Sequence, residues 1–327
     1  MHTSLWALIV VLTGSVVLAG DEPQPDGANE GADGGARLNL NVPMKTLGGR
    51  QFWADVACFY DWRIQQNVFT KHCRLLDGDD VRQAWGTLEQ CQAKLAEVRR
   101  ERKLTPMAGE VVVLVHGICR SSKSMNKLKK HLRKQGLQTY SFDYPSTRIP
   151  IEESADRLQQ VLSSMDGVER IHLIGFSLGG LVVRSCLHRH PDDRIGRVLL
   201  IGTPNRGAEL ADTFRSNLLF RLIFGHAGQQ LSCTDLGLAA TLPAPAGEFA
   251  VIAGARNNDG GYNPLITGDD DGTVGLNSAR LAGACDFLIV NGLHPFLIGQ
   301  KETLAAACSF IQTGKLRSDG ERQPITD

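Results

Sequence analysis

The pattern of apolar positions changes near Glu110. Beyond this residue, short runs of Val, Ile and Leu alternate with amphipathic stretches of helical length. The apolar runs are Val111–Val115, Leu137–Phe142, Ile171–Ile174, Val198–Ile201, Phe249–Ala253 and Phe287–Val290. The helical stretches lie near residues 122–135, 152–165, 178–190 and 300–312. Strands that are apolar along their length and separated by helices are typical of a parallel sheet buried on both faces. The pattern predicts an α/β domain over residues 105–314, with a mostly parallel sheet flanked by helices, and a C-terminal tail at 315–327.

Residues 37–104 follow a different pattern. Apolar positions advance by three and four residues from Val81 to Val98, which predicts one long helix that starts at Asp79 or Asp80. The aromatic residues between Phe52 and Trp62 are more typical of packing against a neighbouring domain than of a ligand surface. We interpret this block as a helical N-terminal extension and assign it no chemistry.

The first 36 residues lack the periodic apolar positions that are typical of helices and strands in a folded domain. Leu5 to Ala19 is almost wholly apolar, which is the length of a signal-peptide core and is short for a membrane span of about 20 residues. We predict a signal peptide or an uncleaved anchor at 1–20 and a flexible linker, rich in Gly, Asp and Pro, at 21–36. The expected location is therefore periplasmic or extracellular, with membrane anchoring as the alternative.

Charge and cysteine content restrict the partners. Lys+Arg and Asp+Glu are equal at 35 each, so no net charge attracts nucleic acid or an anionic membrane. All 8 Cys lie beyond the apolar N-terminal run, and their even number permits disulfides in an exported chain, with buried free thiols as the alternative. The chain has no C-x-x-C pair, which argues against a zinc ribbon.

One motif indicates a nucleophile. The sequence GFSLG at residues 175–179 follows the apolar run Ile171–Ile174 and opens the helical stretch at 178–190. A serine at a sharp turn between strand and helix needs flanking glycines, because side chains there would clash with the strained backbone. The helix N-terminus supplies N–H groups for a developing oxyanion. We therefore predict that Ser177 is a catalytic nucleophile.

The chain resembles the α/β-hydrolase superfamily, and within it the lipase-like group of the triacylglycerol lipase and esterase type. The resemblance extends over about two-thirds of the chain, and its motifs stand in the order HG at 116–117, GFSLGG at 175–180, GTPNRG at 202–207, DGTV at 271–274 and finally His294. One departure is Phe176, where many lipases of this kind carry His. The resemblance implies an α/β-hydrolase fold and a catalytic triad in the order Ser, acid, His.

The acid and the base are assigned with the help of this resemblance. His294 is the only His after Gly275 and follows the last apolar run, so we expect it to be the general base. Four carboxylates follow the run that ends at Ala253: Asp259, Asp269, Asp270 and Asp271. The DGTV segment selects Asp271 as the acid, with Gly272 permitting a tight turn. The run of three Asp also fits a calcium site as an alternative; otherwise Asp269 and Asp270 are interpreted as solvated.

The oxyanion hole requires two backbone N–H groups. We expect one from Leu178, directly after the nucleophile, and one from Ile118, in a segment that resembles the His-Gly-apolar loop of lipases. We interpret His116 as structural, with its ring bonded to its own loop.

Residues 207–245 interrupt the α/β alternation. The segment contains a cluster of apolar residues, namely Leu218, Leu219, Phe220, Leu222, Ile223 and Phe224. We interpret it as a lid-like insertion, with permanent packing on the core as the alternative. A lid would favour a substrate with an acyl chain, because each buried CH₂ contributes about 0.8 kcal/mol. It would also contact a membrane or lipid interface.

The expected function is cleavage of carboxylic esters through a Ser177–His294–Asp271 triad and an acyl-enzyme intermediate. The expected substrate is a small-molecule or lipid ester, and the mechanism requires no metal or organic cofactor. The alternatives are an acyltransferase or thioesterase with the same triad, and a non-catalytic binding protein on the same scaffold.

Overall fold

The structure, a computed structural model, describes residues 44–45, 50–214, 227–228, 230 and 238–326. The predicted signal peptide or anchor at 1–20 and the linker at 21–36 lie outside the described residues, and so does the apolar cluster at 218–224. No helix in the described part of the chain has the length and the apolar character that a membrane crossing requires.

The N-terminal block is a five-stranded antiparallel sheet. Its strands are β1 (Met44–Lys45), β2 (Trp53–Phe59), β3 (Trp62–Asn67), β4 (Cys73–Leu76) and β5 (Val81–Gly86). Their order across the sheet is β1-β5-β4-β3-β2, and each strand pairs antiparallel with its neighbour. A single helix, α1 (Leu88–Glu101), follows the last strand and packs on the sheet.

The predicted helical N-terminal extension is therefore wrong for residues 53–86. Val81 and Trp85 lie in β5, and Asp80 has φ of 63° in the turn between β4 and β5. The helix begins only after Thr87, whose side chain accepts a hydrogen bond from the N–H of Gln90 while the Gln90 side chain accepts one from the Thr87 N–H. This capping box starts a helix at Leu88 and leaves the preceding residues to pair with β4.

The main sheet has six strands. They are β6 (Gly109–Val115), β7 (Gln138–Phe142), β8 (Val168–Phe176), β9 (Ile195–Ile201), β10 (Phe249–Ala255) and β11 (Asp286–Asn291). Their order is β11-β10-β9-β8-β6-β7, and all these neighbours are parallel. The predicted parallel sheet is confirmed, and the predicted apolar runs fall on these strands, except that Leu137 lies one residue before β7.

Helices cover both faces of this sheet. They are α2 (Asn126–Lys134), α3 (Ile151–Ser163), α4 (Leu178–Arg189), α5 (Glu209–Phe214), α6 (Leu238–Thr241), α7 (Leu276–Ala279), α8 (His294–Leu297) and α9 (Lys301–Thr313). Val111, Val113 and Val115 of β6 belong to the apolar core on the α3 and α4 side, while Val112 and Leu114 belong to the core that α2 and α9 cover. Alternate residues of a strand point to opposite faces, so both faces of the sheet are buried.

The antiparallel sheet shares the core on the α3 side. Phe59, Trp62 and Ile64 pack in the same apolar cluster as α3 and α4, which agrees with the interpretation of the aromatic residues as packing. Seven cysteines lie in the described residues, and all are free thiols: Cys58, Cys73, Cys91, Cys119, Cys186, Cys285 and Cys308.

Candidate active site

Ser177 occupies the turn between β8 and α4. Its backbone has φ of 55° and ψ of −125°, a conformation that costs free energy for a residue with a side chain. The turn is held because the N–H of Ser177 donates to the carbonyl of Ile201 at 2.8 Å and the N–H of Gly180 donates to the Ser177 carbonyl at 3.0 Å. The strained turn places the serine hydroxyl at the carboxyl end of the sheet, where α4 begins.

The glycines beside the nucleophile are required by close backbone approach. A Cβ on Gly175 would lie 2.5 Å from the Cα of Gly180, and a Cβ on Gly179 would lie 2.2 Å from the carbonyl oxygen of Val115. Neither space can hold a methyl group, so glycine at 175 lets the turn pack against the start of α4, and glycine at 179 lets α4 pack against β6.

His294 lies at the start of α8, beside Ser177. Its Nε2 is 2.9 Å from Ser177 Oγ, and its Nδ1 is 2.7 Å from Asp271 Oδ2. The backbones of the two residues are also joined, because the N–H of His294 donates to the Asp271 carbonyl at 2.7 Å. The structure thus brings together the three residues that the sequence selected, and all three are buried.

The second carboxylate oxygen of Asp271 accepts two backbone hydrogen bonds. The N–H of Thr273 donates to Oδ1 at 3.0 Å and the N–H of Val274 at 2.7 Å. Gly272, with φ of 91°, permits this turn. One oxygen is therefore fixed by the loop, and the other is aimed at the imidazole. A carboxylate accepts only, so Nδ1 donates to Asp271 and Nε2 is left to accept the Ser177 hydroxyl proton.

The two carboxylates that precede Asp271 also accept hydrogen bonds from backbone N–H groups. Asp269 accepts hydrogen bonds from the N–H groups of Arg256 and Asn257. Asp270 is fully buried and accepts from the N–H of Gly272 at 2.5 Å, and burial raises the pKa of this carboxyl. The interpretation of Asp270 as solvated is therefore wrong, because a buried carboxylate there satisfies backbone donors that the turn leaves open. Within the described residues, no group of three His, Cys, Asp or Glu is arranged to hold a metal ion.

The segment of residues 116–122, called the oxyanion loop after its predicted role, follows β6 and passes beside Ser177. A Cβ on Gly117 would lie 3.0 Å from the Ser177 Cβ, so the loop is in close contact with the serine. Ile118 follows in the loop, and Leu178 is the first residue of α4. No acceptor in the described residues takes a hydrogen bond from the N–H of either residue. Both N–H groups are thus available to a substrate oxygen.

His116 has the structural role predicted for it. Its Nδ1 is 2.8 Å from the carbonyl oxygen of Gly117, and its ring stacks on Tyr144 with centroids 4.3 Å apart. Burial lowers the pKa of His116, so the ring is neutral and Nδ1 is the donor in this bond.

Two residues at this site had no role assigned from the sequence. Phe176 stacks on the His294 ring, and Asp143, directly after β7, bonds to the end of the oxyanion loop through Ser122. A signal for Asp143 was present, since it is a carboxylate at the carboxyl end of a predicted strand in a parallel sheet, where functional residues collect.

Solved structures share this architecture. The lipase BlEst2 of Bacillus licheniformis in its mature form is 23% identical, with a TM-score of 0.50 over 65% of this chain and 95% of that chain. The propeptide form of the same lipase is 21% identical, with a TM-score of 0.52 over 68% of this chain and 54% of that chain. The chain therefore has the α/β-hydrolase fold that its motifs resembled.

A family model described as Domain of unknown function (DUF7379) matches residues 74–247, which is more than half of the chain. The chain belongs to the DUF7379 family. The DUF7379 match includes Ser177 and the oxyanion loop and ends before Asp271 and His294.

This DUF7379 chain is also similar to a curated protein, lysosomal thioesterase PPT2-B of Xenopus laevis. The two are 29% identical over 104 residues, which is 29% of this chain and 36% of that protein. The similarity thus spans little more than a third of the length of the relative.

Proposed function

We propose that the protein is a serine hydrolase that cleaves carboxylic esters, with Ser177 as nucleophile, His294 as general base and Asp271 as the supporting acid. One observation carries the proposal: the hydrogen bonds from Ser177 Oγ to His294 Nε2, at 2.9 Å, and from His294 Nδ1 to Asp271 Oδ2, at 2.7 Å. A nucleophile, a base and a residue that orients the base, each within hydrogen-bond reach of the next, form the arrangement that activates a serine.

Acylation begins when Ser177 Oγ attacks the ester carbonyl carbon and its proton passes to His294 Nε2. Asp271 stabilises the imidazolium that forms. The carbonyl oxygen becomes an oxyanion and accepts hydrogen bonds from the N–H groups of Ile118 and Leu178. When this intermediate collapses, the bond to the leaving alcohol breaks and His294 returns the proton to the alcohol oxygen, leaving an acyl group on Ser177.

Deacylation repeats the same steps with water. His294 takes a proton from a water molecule, whose oxygen attacks the acyl carbon, and then returns the proton to Ser177 Oγ as the acid leaves. The balance is one ester and one water converted to one acid and one alcohol. Every group that these steps require is a residue of this chain.

Two exposed apolar side chains close in sequence to the proposed base and acid support an apolar substrate. Phe296, two residues after His294, is 64% exposed, and Leu265, six residues before Asp271, is 47% exposed. Exposed large apolar side chains can contact the apolar part of a ligand. We therefore propose an ester with an acyl chain or another apolar group.

Thioester cleavage is the second candidate, because the curated relative is named as a thioesterase. The same three residues perform both reactions, but a thiolate leaves without the protonation that an alkoxide needs. The ratio of thioester to oxygen-ester turnover for one acyl chain therefore distinguishes the two substrates.

The test is hydrolysis of nitrophenyl esters and matched acyl thioesters, with acyl chains of increasing length, by the full chain. The Ser177→Ala variant is expected to lose activity by about 10⁴-fold or more. Ser185→Ala is the matched control, because Ser185 is a buried serine on the same helix whose hydroxyl has no partner in the described residues. Equal activity of wild type and Ser177→Ala would exclude the proposed nucleophile. Activity on neither substrate class would favour the acyltransferase or the binding protein.

A further inference from the structure

The residue Asp55 hydrogen-bonds the antiparallel sheet to the main sheet. Asp55 lies at a bulge of β2, and its N–H donates to the carbonyl of Asp143 at 2.9 Å. In return, the N–H of Asp143 donates to Asp55 Oδ2 at 2.8 Å. Asp143 directly follows β7, the edge strand of the main sheet. A residue of the N-terminal block therefore fixes the backbone at the carboxyl end of that strand.

The Asp55 carboxylate is itself held from three sides and is fully buried. Tyr140 donates its hydroxyl to Oδ2 at 2.7 Å, and Gln65 donates its amide to Oδ1 at 2.8 Å. Arg74 in turn donates to the Gln65 amide oxygen at 3.0 and 2.9 Å. Such a network of buried, satisfied polar groups has one geometry, because each member fixes the next.

Asp143 connects this network to the oxyanion loop by hydrogen bonds. Its Oδ1 accepts the N–H of Ser122 at 2.7 Å, and its Oδ2 accepts the Ser122 hydroxyl at 2.6 Å. Burial raises the pKa of Asp143, but Arg63 and the neighbouring donors outweigh burial and hold it below its ordinary value. Asp143 is therefore a carboxylate that binds the far end of the loop with both oxygens.

The near end of the loop is held by the next residue along the chain. Tyr144 donates its hydroxyl to the carbonyl of His116 at 2.7 Å, and its ring stacks on the His116 imidazole. His116 Nε2 also lies 3.7 Å from Asp143 Oδ1. Asp143 and Tyr144 thus bind both ends of the segment that presents the Ile118 N–H.

We propose that Asp143 and Asp55 are positioning residues for the oxyanion hole, so that the N-terminal antiparallel sheet is part of the catalytic apparatus. Asp143 positions the loop that contains the Ile118 N–H, and Asp55 positions Asp143. The inference rests on the proposed function, since only a reaction with an oxyanion needs this N–H. An oxyanion donor acts at about 2.7–3.1 Å, and losing one costs about 10²–10³ in rate. A small shift of the loop is therefore costly.

The test compares Asp143→Asn, Asp55→Asn and Ser122→Ala with wild type in the full chain, on one nitrophenyl ester. We expect kcat to fall by about tenfold to a hundredfold in the two Asn variants and by less in Ser122→Ala, with KM within about threefold of wild type. Affinity for a boronic acid that forms a tetrahedral adduct with Ser177 is expected to fall in parallel with kcat/KM.

Asp61→Asn is the matched control. Asp61 also ties the N-terminal block to the main domain, through Lys129 at 2.9 Å and Arg133 at 2.7 Å on α2, but no hydrogen bond or ion pair of the described residues links it to the oxyanion loop. Asp61→Asn should keep the wild-type kcat. If Asp55 and Asp143 only dock the N-terminal block, all three Asn variants should have lower melting temperatures and a wild-type kcat. That result would overturn the inference.

If the proposed function itself is wrong, the result is different. The activity of Ser177→Ala would then equal that of wild type, whatever the activities of the Asn variants. If Asp55→Asn does not fold, Tyr140→Phe takes its place, since it removes only the hydroxyl that donates to Asp55. An unchanged kcat in both Tyr140→Phe and Ser122→Ala would equally overturn the inference.

Discussion

The Phe176 ring stacks on the imidazole of His294, with centroids 5.0 Å apart and planes inclined by 28°. Phe176 is fully buried and belongs to the apolar core that α2 and α9 cover. The face of an aromatic ring attracts a cation, so in the proposed mechanism this contact stabilises the imidazolium that acylation forms. Phe176, at the position where many lipases of this kind carry His, thus supports the proposed general base.

Replacing Phe176 by Leu is expected to lower kcat by about fivefold to tenfold, because a cation–π contact contributes about 1 kcal/mol or slightly more. KM should stay near the wild-type value, since the imidazolium forms only after substrate binding. Phe310→Leu is the matched control, because Phe310 is a fully buried phenylalanine of the same core. Steady-state kinetics and thermal melting of both variants check the prediction, and equal kcat values in the two would contradict it.

Asp271→Asn is expected to lower kcat by about 10⁴-fold with little change in melting temperature. An amide in place of the carboxylate can donate to Nδ1, which leaves the proton on Nε2 and deprives Ser177 of its acceptor. Asp259→Asn serves as control, because Asp259 also follows β10 and is exposed. Loss of activity in Asp259→Asn, or retention of it in Asp271→Asn, would show that the acid is assigned wrongly.

The α/β domain and its candidate site could be predicted because most of their signals are local. Ser177 stands in a motif that has meaning only between a strand and a helix, and the apolar runs on either side supplied that context. Asp271 was harder, because four carboxylates follow β10 and only the DGTV segment distinguished them. The DGTV segment marks Asp271 for a structural reason. The positive φ of Gly272 turns the backbone N–H groups of Thr273 and Val274 toward the Asp271 carboxylate.

The N-terminal sheet could not be predicted in the same way. The spacing from Val81 to Val98 fits one helical stripe, although it runs across a strand and a helix. Pairing of β5 with β4 depends on contacts outside the segment and outweighs its local periodicity. The capping residues Thr87 and Gln90 were the local signal for the true start of the helix. Asp143 bonds to Asp55, which is 88 residues away, so no local pattern indicated the contact.

The ionisation of Asp55 is expected to make the stability of the protein depend on pH. Burial raises the pKa of Asp55 from 3.8 to about 6, with Arg63 opposing the rise and Asp143 adding to it. The folded state then binds this proton more tightly than the unfolded state does. The stabilisation is fully present below about pH 4 and is lost as the pH rises to about 6.

Urea unfolding of wild type and Asp55→Asn at about pH 4 and pH 6.5 measures this effect. The wild-type free energy of unfolding should fall by about 1–3 kcal/mol more than that of the variant over this interval. Titrating groups distant from Asp55 contribute equally to both proteins and cancel in the difference, whereas Asp143, which interacts with Asp55, contributes to the measured effect. The same change in both proteins would mean that Asp55 is ionised throughout and that its burial is fully compensated by Arg63.

Arg184 bonds to the backbone near both ends of the segment 207–245, the predicted insertion. Its guanidinium, buried on α4, donates to the carbonyl of Asn205 at 2.8 Å, to that of Pro243 at 3.2 Å and to that of Leu242. Burial lowers its pKa to about 10. Asn205 lies just before the insertion, and the other two carbonyls lie near its end.

Arg184→Met should therefore destabilise the protein by about 2–4 kcal/mol, because the carbonyls of two buried residues, Asn205 and Leu242, lose their donor together with that of Pro243. Arg189→Met on the same helix removes only a half-exposed ion pair with Asp156 and should cost about 0–1 kcal/mol. Urea unfolding measures both values, and limited proteolysis compares cleavage within residues 207–245. Faster cleavage there in Arg184→Met alone would link the buried cation to the insertion, whereas equal stability and equal cleavage in the two variants would show that the carbonyls find other donors.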